Sequence, residues 1–567
     1  MLPPAGPIID LDITPTEGKV QGGFPIRPKH SILSTEPVFI GRHTMQSISR
    51  DTLRRILDKE QEYALLDIRE PGEYNLGHIA GATLLPRRDI EFRIRYLIPV
   101  RDTPIILVGD GGQRELLTAA TLETGGYRKV EILEGGFPGW SKAGYATETG
   151  VNVPSKEFGE RVHIEFNVPE IEPADLRSRI DHGEPFLIFD ARTREEHARF
   201  CIPGGLNVPG GDLILWAEEL KNKANIPVVI NCAGRTRSII GAQSLRRLGL
   251  TNVFALRNGT MGWLLAGFDL EREPKRNLVQ PSEQSVSVAE KLASQVAEEE
   301  QIPFMSVLDL GDLLSRRERK TLYAMDVRSF EEYLCGHIPG FISVPGGQAV
   351  QRADDYVAVR TATIVFSCDR AARATMAAYW YRKMGFKNVF VLRGGIDAWV
   401  KHGRKLEIGD VQESIIGLER ARSSVRCTGS SHAESLRTDK PDLLIVDVGL
   451  SRQYAEGHLP GAVWLSRDWI EERIPVLYPD RRQLILVTCP DGRQSALAGA
   501  ALMEMGYSDV SVLEGGTQKW IEHGRAIETG LTKPLIEPND IILSASIGGD
   551  KRAMQRYLDW EIELARK

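Results

Sequence analysis

The sequence predicts an α/β protein made of four tandem copies of one domain, each a mainly parallel sheet flanked by helices, and three observations carry the prediction. Four segments restate one phrase: LLDIREPGEYNLGHIAGA, IFDARTREEHARFCIPGG, AMDVRSFEEYLCGHIPGF and IVDVGLSRQYAEGHLPGA, with Asp67, Asp190, Asp326 and Asp447 at equivalent places. Each is followed by a second phrase, LEGGFPGW, LRNGTMGW, LRGGIDAW or LEGGTQKW, and the interval from the aspartate to Trp140, Trp263, Trp399 or Trp520 is 73 residues every time. Within a copy, short apolar runs alternate with helix-like stretches, the pattern of parallel strands buried on both faces. Successive aspartates lie 123, 136 and 121 residues apart. Solenoid repeats run about 20–50 residues, so a unit this long can bury a core of its own.

Residues 1–34, rich in proline and glycine, read as an N-terminal arm. Domain 1 then covers 35–150, domain 2 covers 160–275, domain 3 covers 300–407 and domain 4 covers 420–530. Domain 3 shows the elements most plainly. TLYAMDV reads as a strand, SFEEYLCG as a short helix, TATIVFS as a second strand, ATMAAYWYRKMGF as an amphipathic helix and KNVFVL as a third strand. The longer interval between the second and third aspartates falls on SVSVAEKLASQVAEEEQ, which reads as an exposed helix. The tail, 531–567, ends in KRAMQRYLDWEIELARK, a terminal helix expected to dock on a neighbour.

A length of 567 residues predicts three to five domains. With 71 Lys+Arg against 77 Asp+Glu, the net charge of −6 is too mild for a nucleic-acid binder or a polybasic membrane protein. No stretch approaches the roughly 18 consecutive apolar residues of a membrane span. The opening MLPPAGPIIDLD lacks the basic and apolar regions of a secretory signal. Six cysteines are too few for a disulfide scaffold. Together these features predict a soluble, cytoplasmic, multidomain protein.

Counting 42 residues on from each aspartate reaches Gly109, Cys232, Cys368 and Cys489. Each cysteine follows an apolar strand and precedes a helix-like run, in the loops CAGRTRS, CDRAARA and CPDGRQS; the first copy reads GDGGQRE. A strand–loop–helix turn aims backbone N–H groups and the positive end of the helix dipole at the loop centre. A thiol placed there is expected to ionise. At an ordinary pKa near 8.5 about 3% is thiolate at pH 7, whereas a pKa of about 6.5 makes it roughly three-quarters. Arg235 and Arg237, Arg370 and Arg373, and Arg493 act in the same direction, and Gly234 and Thr236 belong to the same anion-receiving loop. The second copy is the most favourable, because its loop has no acid, whereas Asp369 and Asp491 offset the charge in the third and fourth. A buried cysteine acting as a small hydrophobe is the alternative for any one thiol. It does not explain three at one loop position beside arginines.

The pairing of D-x-R…E-[YH]…GHIPGA with a loop cysteine and then a GG…W segment resembles the rhodanese domain in all four copies, from about residue 45 to 530. The resemblance implies a five-stranded parallel sheet with the cysteine loop at its C-terminal edge. It also implies a thiosulfate sulfurtransferase. The thiolate takes the sulfane sulfur of thiosulfate, releases sulfite, holds the sulfur as a persulfide and passes it to a thiol or cyanide, a thiol protein being one candidate acceptor. Such a double displacement needs an activated thiolate and an anion cradle. No metal or organic cofactor is implied, and no C-x-x-C is present.

The copies depart from the pattern in ways that rank them. Copy 1 has Gly109 in place of the nucleophile and is expected to be inactive, although Arg114 leaves room for an anion to dock. Copy 2 has Cys201 where the others have His78, His337 and His458, residues read as structural. Copy 4 has Gly449 for the arginine of D-x-R and Gln494 at the position of Arg237. The resulting order is Cys232, then Cys368, then Cys489. The D-x-R aspartates read as buried ion pairs, the GG as a turn needing positive φ, and the tryptophans as core. Cell-cycle phosphatases resemble the same fold but place arginine six positions after the cysteine, where Ser238, Ala374 and Ser495 stand here. Mercaptopyruvate enzymes resemble C-G-S/T-G loops, which are absent. The alternatives are a persulfide carrier or docking scaffold with little turnover of its own, or a mercaptopyruvate sulfurtransferase.

Overall fold

The computed structural model describes residues 46–566 apart from 60, 224, 275, 277–279, 412–413 and 546–548, so the arm expected over 1–34 lies outside the described residues. Four five-stranded sheets follow one another along the chain, every pairing within them is parallel, and each runs in the same order, first-fifth-fourth-second-third. In the second module the strands are Glu170–Ile171, Leu187–Asp190, Leu206–Asn207, Val228–Asn231 and Val253–Leu256. The fourth strand, VVIN, is buried throughout, as its unbroken apolar run requires. It lies beside the second strand with Asn231 opposite Asp190. Strand order reverses between these two, so a crevice opens at their C-terminal ends, the switch point of a parallel α/β sheet. The D-x-R turn and the cysteine loop both leave the sheet there.

A helix of 12 residues follows each loop: Gln113–Thr124, Thr236–Arg247, Ala372–Lys383 and Arg493–Glu504. In modules 2 to 4 a leading helix packs across it, Val153–Glu165, Glu283–Glu299 and Leu418–Ser424 in turn. The second of these corrects a sequence expectation. Ser282 caps it by accepting the Ser285 amide at 3.1 Å, and Ala289, Ala293, Val296 and Ala297 form a buried stripe rather than an exposed surface. A small-residue stripe lets the backbone of this helix approach the broad face of Ala372–Lys383 closely.

The modules pair about local two-fold relationships. In the pair of modules 2 and 3, Gly210 and Gly211 meet Gly346 and Gly347, the equivalent positions, so closely that a Cβ on Gly211 would lie 3.0 Å from the Gly346 Cα. The Trp380 indole donates to Ser244 Oγ at 2.9 Å, again between equivalent positions. In the pair of modules 1 and 4, Arg87 bonds Glu471 and Arg467 bonds Glu91, a reciprocal arrangement. Modules 1 and 3 also touch, with the Tyr323 hydroxyl donating to Leu97 O at 2.6 Å. After module 4 the chain crosses to module 1, where the Gly72 amide donates to Asn539 O at 2.7 Å and the Ser451 amide of module 4 donates to Asp540 at 2.7 Å. It ends in the helix Lys551–Glu563, whose Met554 and Leu558 pack on Met261 of module 2.

Candidate active site

Two elements shape each cysteine loop. The helix that follows holds its start, and the short helix after the fifth strand holds its carbonyls. In module 2 the Thr260 amide donates to Cys232 O at 2.8 Å and the Met261 amide to Ala233 O at 3.1 Å. Gly259 makes this approach possible. Its φ is +56°, and a Cβ there would lie 2.2 Å from the Cys232 carbonyl oxygen. The equivalent distances at Gly136, Gly395 and Gly516 are 2.6, 2.2 and 2.1 Å. The GG of the tryptophan phrase is therefore a turn, as read, and also the platform of the cysteine loop. With the carbonyls turned outward, amides face the sulfur: the Ala374 amide donates to Cys368 Sγ at 3.5 Å and the Ser495 amide to Cys489 Sγ at 3.3 Å. The Cys232 thiol donates to Ser238 Oγ at 3.5 Å, and that hydroxyl donates to Arg235 O at 2.7 Å.

Every loop arginine has a carboxylate partner. Arg237 makes two bonds to Glu196, at 2.6 and 2.8 Å, and Arg373 makes two to Glu332, at 2.9 and 2.7 Å. Arg373 also meets Asp369 at 2.6 Å and Asp212 of module 2 at 2.8 Å, so three carboxylates surround one guanidinium. Arg235 points out of its loop into Glu160 of the leading helix and Glu170, at 2.5 and 3.0 Å. Arg370 lies nearer the surface against Glu283 and Glu290, at 3.0 and 3.2 Å, and Arg493 Nε donates to Asp491 at 2.6 Å. Although burial opposes their ionisation, the arginines hold Glu196 and Glu332 down to about 2. The sequence contained this signal. A glutamate stands six residues after the aspartate in the first three copies, and in copy 4 both partners change together, to Gln453 and Gln494.

Burial corrects the expectation of a ready thiolate. Cys232 is 2% exposed, and burial raises its thiol; Arg237 and Ser238 pull it back, and Glu561 adds to the rise. Burial pushes Cys368 and Cys489 up to about 11, with Arg373 and Asp369 acting in opposite directions on the first and Asp491 adding to the second. Gly234 and Thr236 face the C-terminal helix: Thr236 Oγ1 donates to Glu561 at 2.6 Å, and a Cβ on Gly234 would lie 3.5 Å from the Tyr557 ring.

Module 1 fills its own cradle. The Glu115 carboxyl occupies the space of the missing thiol, 2.3 Å from where a Gly109 Cβ would sit, and accepts the Gly111 amide at 2.6 Å. Arg114 is engaged by Glu73 and Asp110 beneath the Trp469 ring. An anion docking on Arg114 would have to displace these groups, so the room expected there is taken. The D-x-R residues form buried pairs, at 2.6 Å for Asp67–Arg69 and 2.7 Å for both Asp190–Arg192 and Asp326–Arg328. His78, His337 and His458 stack on Tyr74, Tyr333 and Tyr454. Each tryptophan donates to a carbonyl six residues on, within the core. All six cysteines are free. Among the described residues no three metal-ligating side chains converge, and no helix is long and apolar enough to cross a membrane.

A cysteine loop at the switch point of a parallel sheet, curled so that an amide of the following helix reaches the sulfur, defines a thiol-based group-transfer domain. The model of the rhodanese-like domain matches this chain four times, at residues 49–143, 172–266, 309–402 and 431–523. The chain belongs to the rhodanese family as a tandem of four such domains, whose chemistry is sulfur transfer through a cysteine persulfide. It is similar to the crystal structure of a thiosulfate sulfurtransferase from Pseudomonas aeruginosa over 92% of this chain and 97% of that one, at 34% identity and a TM-score of 0.85. A sulfurtransferase of Allochromatium vinosum is 35% identical over 89 residues, which is 16% of this chain and 81% of that protein. The thiosulfate sulfurtransferase PspE of Escherichia coli is 38% identical over 65 residues, 12% of this chain and 62% of that protein.

Proposed function

We propose that the chain is a thiosulfate sulfurtransferase whose principal nucleophile is Cys232. The observation that carries this reading is the charge around the three thiols. Cys232 faces Arg237, which is balanced by the single carboxylate of Glu196, and its loop holds no acid of its own, Glu561 reaching it only from the C-terminal helix. Cys368 faces an arginine outnumbered by Glu332, Asp369 and Asp212. Cys489 has Asp491 beside it and Gln494 in place of the arginine. In the first step the Cys232 thiolate attacks the sulfane sulfur, a new S–S bond forms, the donor's S–S bond breaks, and sulfite leaves with that electron pair. In the second, an acceptor thiolate or cyanide attacks the outer sulfur and the Cys232 thiolate departs. The loop amides and Arg237 stabilise the anion at each stage. The similarity to thiosulfate sulfurtransferases supports thiosulfate as donor.

Mapping the sulfur added when the reduced protein meets thiosulfate tests the reading. The expected result is one sulfur on Cys232. Cys232→Ser should lower turnover about 10³-fold or more, because removal of a nucleophile is not compensated by the remaining cradle. Full activity in Cys232→Ser would remove the assignment.

A further inference from the structure

The helix Lys551–Glu563 does more than end the chain. It covers the one loop proposed above to carry the nucleophile. Glu561 is 1% exposed, and one of its carboxylate oxygens accepts the Thr236 hydroxyl at 2.6 Å. Its other oxygen is buried and lies 3.2 Å from where a Cβ on Gly234 would sit. Tyr557 closes the same side of the loop. The helix is seated by apolar and cation–π contacts and by the attraction between Glu561 and the Lys156 ammonium. Met554 and Leu558 pack on Met261, and the Lys156 ammonium lies 5.1 Å from the Tyr557 ring centre and 4.8 Å from that of Trp560.

We propose that Glu561 is a donor-selecting residue of the Cys232 site: its carboxylate occupies the place of an incoming anionic sulfur donor, which must displace it to reach the thiol. The inference rests on Cys232 being the nucleophile. Module 1 shows that a carboxylate fits such a loop, since Glu115 fills the equivalent cradle from within its own module. Glu561 reaches the rim of the Cys232 loop, at Thr236 and Gly234, from a distant part of the chain. The cations that attract it are also engaged elsewhere: the Lys156 ammonium donates to Val151 O at 2.6 Å. Arg235, which also attracts Glu561, is ion-paired with Glu160 and Glu170, and Arg237 with Glu196. A buried carboxylate with no contact ion pair among the described residues is a weak anchor. A dianion meeting it in place is repelled, whereas a neutral donor is not.

Two full-length variants and two readouts test this. Glu561→Gln keeps the shape and the Thr236 bond but removes the charge, and should lower KM for thiosulfate about tenfold with kcat changed less than about twofold. Leu558→Asp breaks the seat on Met261 and should raise the rate at which iodoacetamide alkylates Cys232 by about tenfold or more, with buried Cys201 of the same module still protected. An unchanged KM in Glu561→Gln would overturn the proposal. So would Cys232 labelling that rises only together with Cys201, which would mean that module 2 has loosened as a whole. The labelling readout needs no turnover. If Cys232→Ser keeps full activity while Leu558→Asp still exposes Cys232, the assignment of the nucleophile fails and the cover remains.

Discussion

In module 4 Gly449 stands where three other modules carry arginine, and the buried Asp447 carboxyl accepts the Gly449 amide at 2.9 Å. Burial raises its carboxyl to about 7. The folded state thus holds this proton more tightly than the unfolded chain, whose aspartates titrate near 3.9. The stability that the neutral carboxyl contributes is complete below about pH 4 and is lost as the pH rises to about 7. Asp447→Asn retains an acceptor for the Gly449 amide. It should stabilise module 4 at pH 8 by up to about 4 kcal/mol, a gain that fades toward pH 4 in urea titrations. Equal gains at both pH values would mean that charge burial is not the cause. Gly109 presents the opposite situation, an absence that a neighbour has filled. Gly109→Cys alone should destabilise module 1, because Glu115 holds the space. Adding Glu115→Ser should restore stability and create a thiol that accepts sulfur from thiosulfate, read by peptide mass. A stable Gly109→Cys single variant would contradict the steric account.

At the scale of elements, the cysteine loop depends on a glycine 27 residues further along the chain in every module. Gly259→Ala places a methyl group 2.2 Å from the Cys232 carbonyl oxygen at a φ of +56°. The backbone strain alone is about 1–3 kcal/mol, and the collision must also displace the loop from its amide-inward curl. Activity and module stability should both fall. Gly267→Ala is the matched control, since Gly267 has φ +87° but nothing within 4 Å of its would-be Cβ. It should cost about 1–2 kcal/mol in calorimetry and leave turnover unchanged. Equal losses of activity in the two variants would show that the platform role is not special to Gly259.

At the scale of the molecule, one domain has been copied and then differentiated by its neighbours. Modules 1 and 4 pair through Arg87–Glu471 and Arg467–Glu91, which relate equivalent residues reciprocally and are buried. Arg87→Met leaves Glu471 buried without its partner and should destabilise the chain by about 3–5 kcal/mol. Combining it with Glu471→Leu should recover most of that loss, measured as the coupling in a double-mutant cycle by calorimetry. Additive losses would mean that the pair is not coupled. In the pair of modules 2 and 3, Asp212 adds a third carboxylate to Arg373, while module 3 has Gln348 at the equivalent place and sends no acid back to Arg237. The neighbour therefore widens a difference in charge that Asp369 already makes between the two loops.

The sequence by itself determined the four-fold repeat, the alternating elements and the loop position of the cysteines, because spacing and apolar runs are local properties that survive in one dimension. It also marked Asp67–Arg69, Asp190–Arg192 and Asp326–Arg328 as buried pairs, since both partners lie two residues apart. Tertiary structure decided how strongly each thiol ionises. Glu196 lies 41 residues before Arg237, Glu160 lies 75 before Arg235, and Glu561 lies 325 beyond Thr236, so the carboxylates that offset the cradle are brought in by folding. Desolvation raises all three thiols for the same reason: it depends on what covers the loop, and the leading helices and the C-terminal helix are placed by packing between modules. Charge near a residue in sequence is legible; charge and water near it in space are set only when the modules assemble.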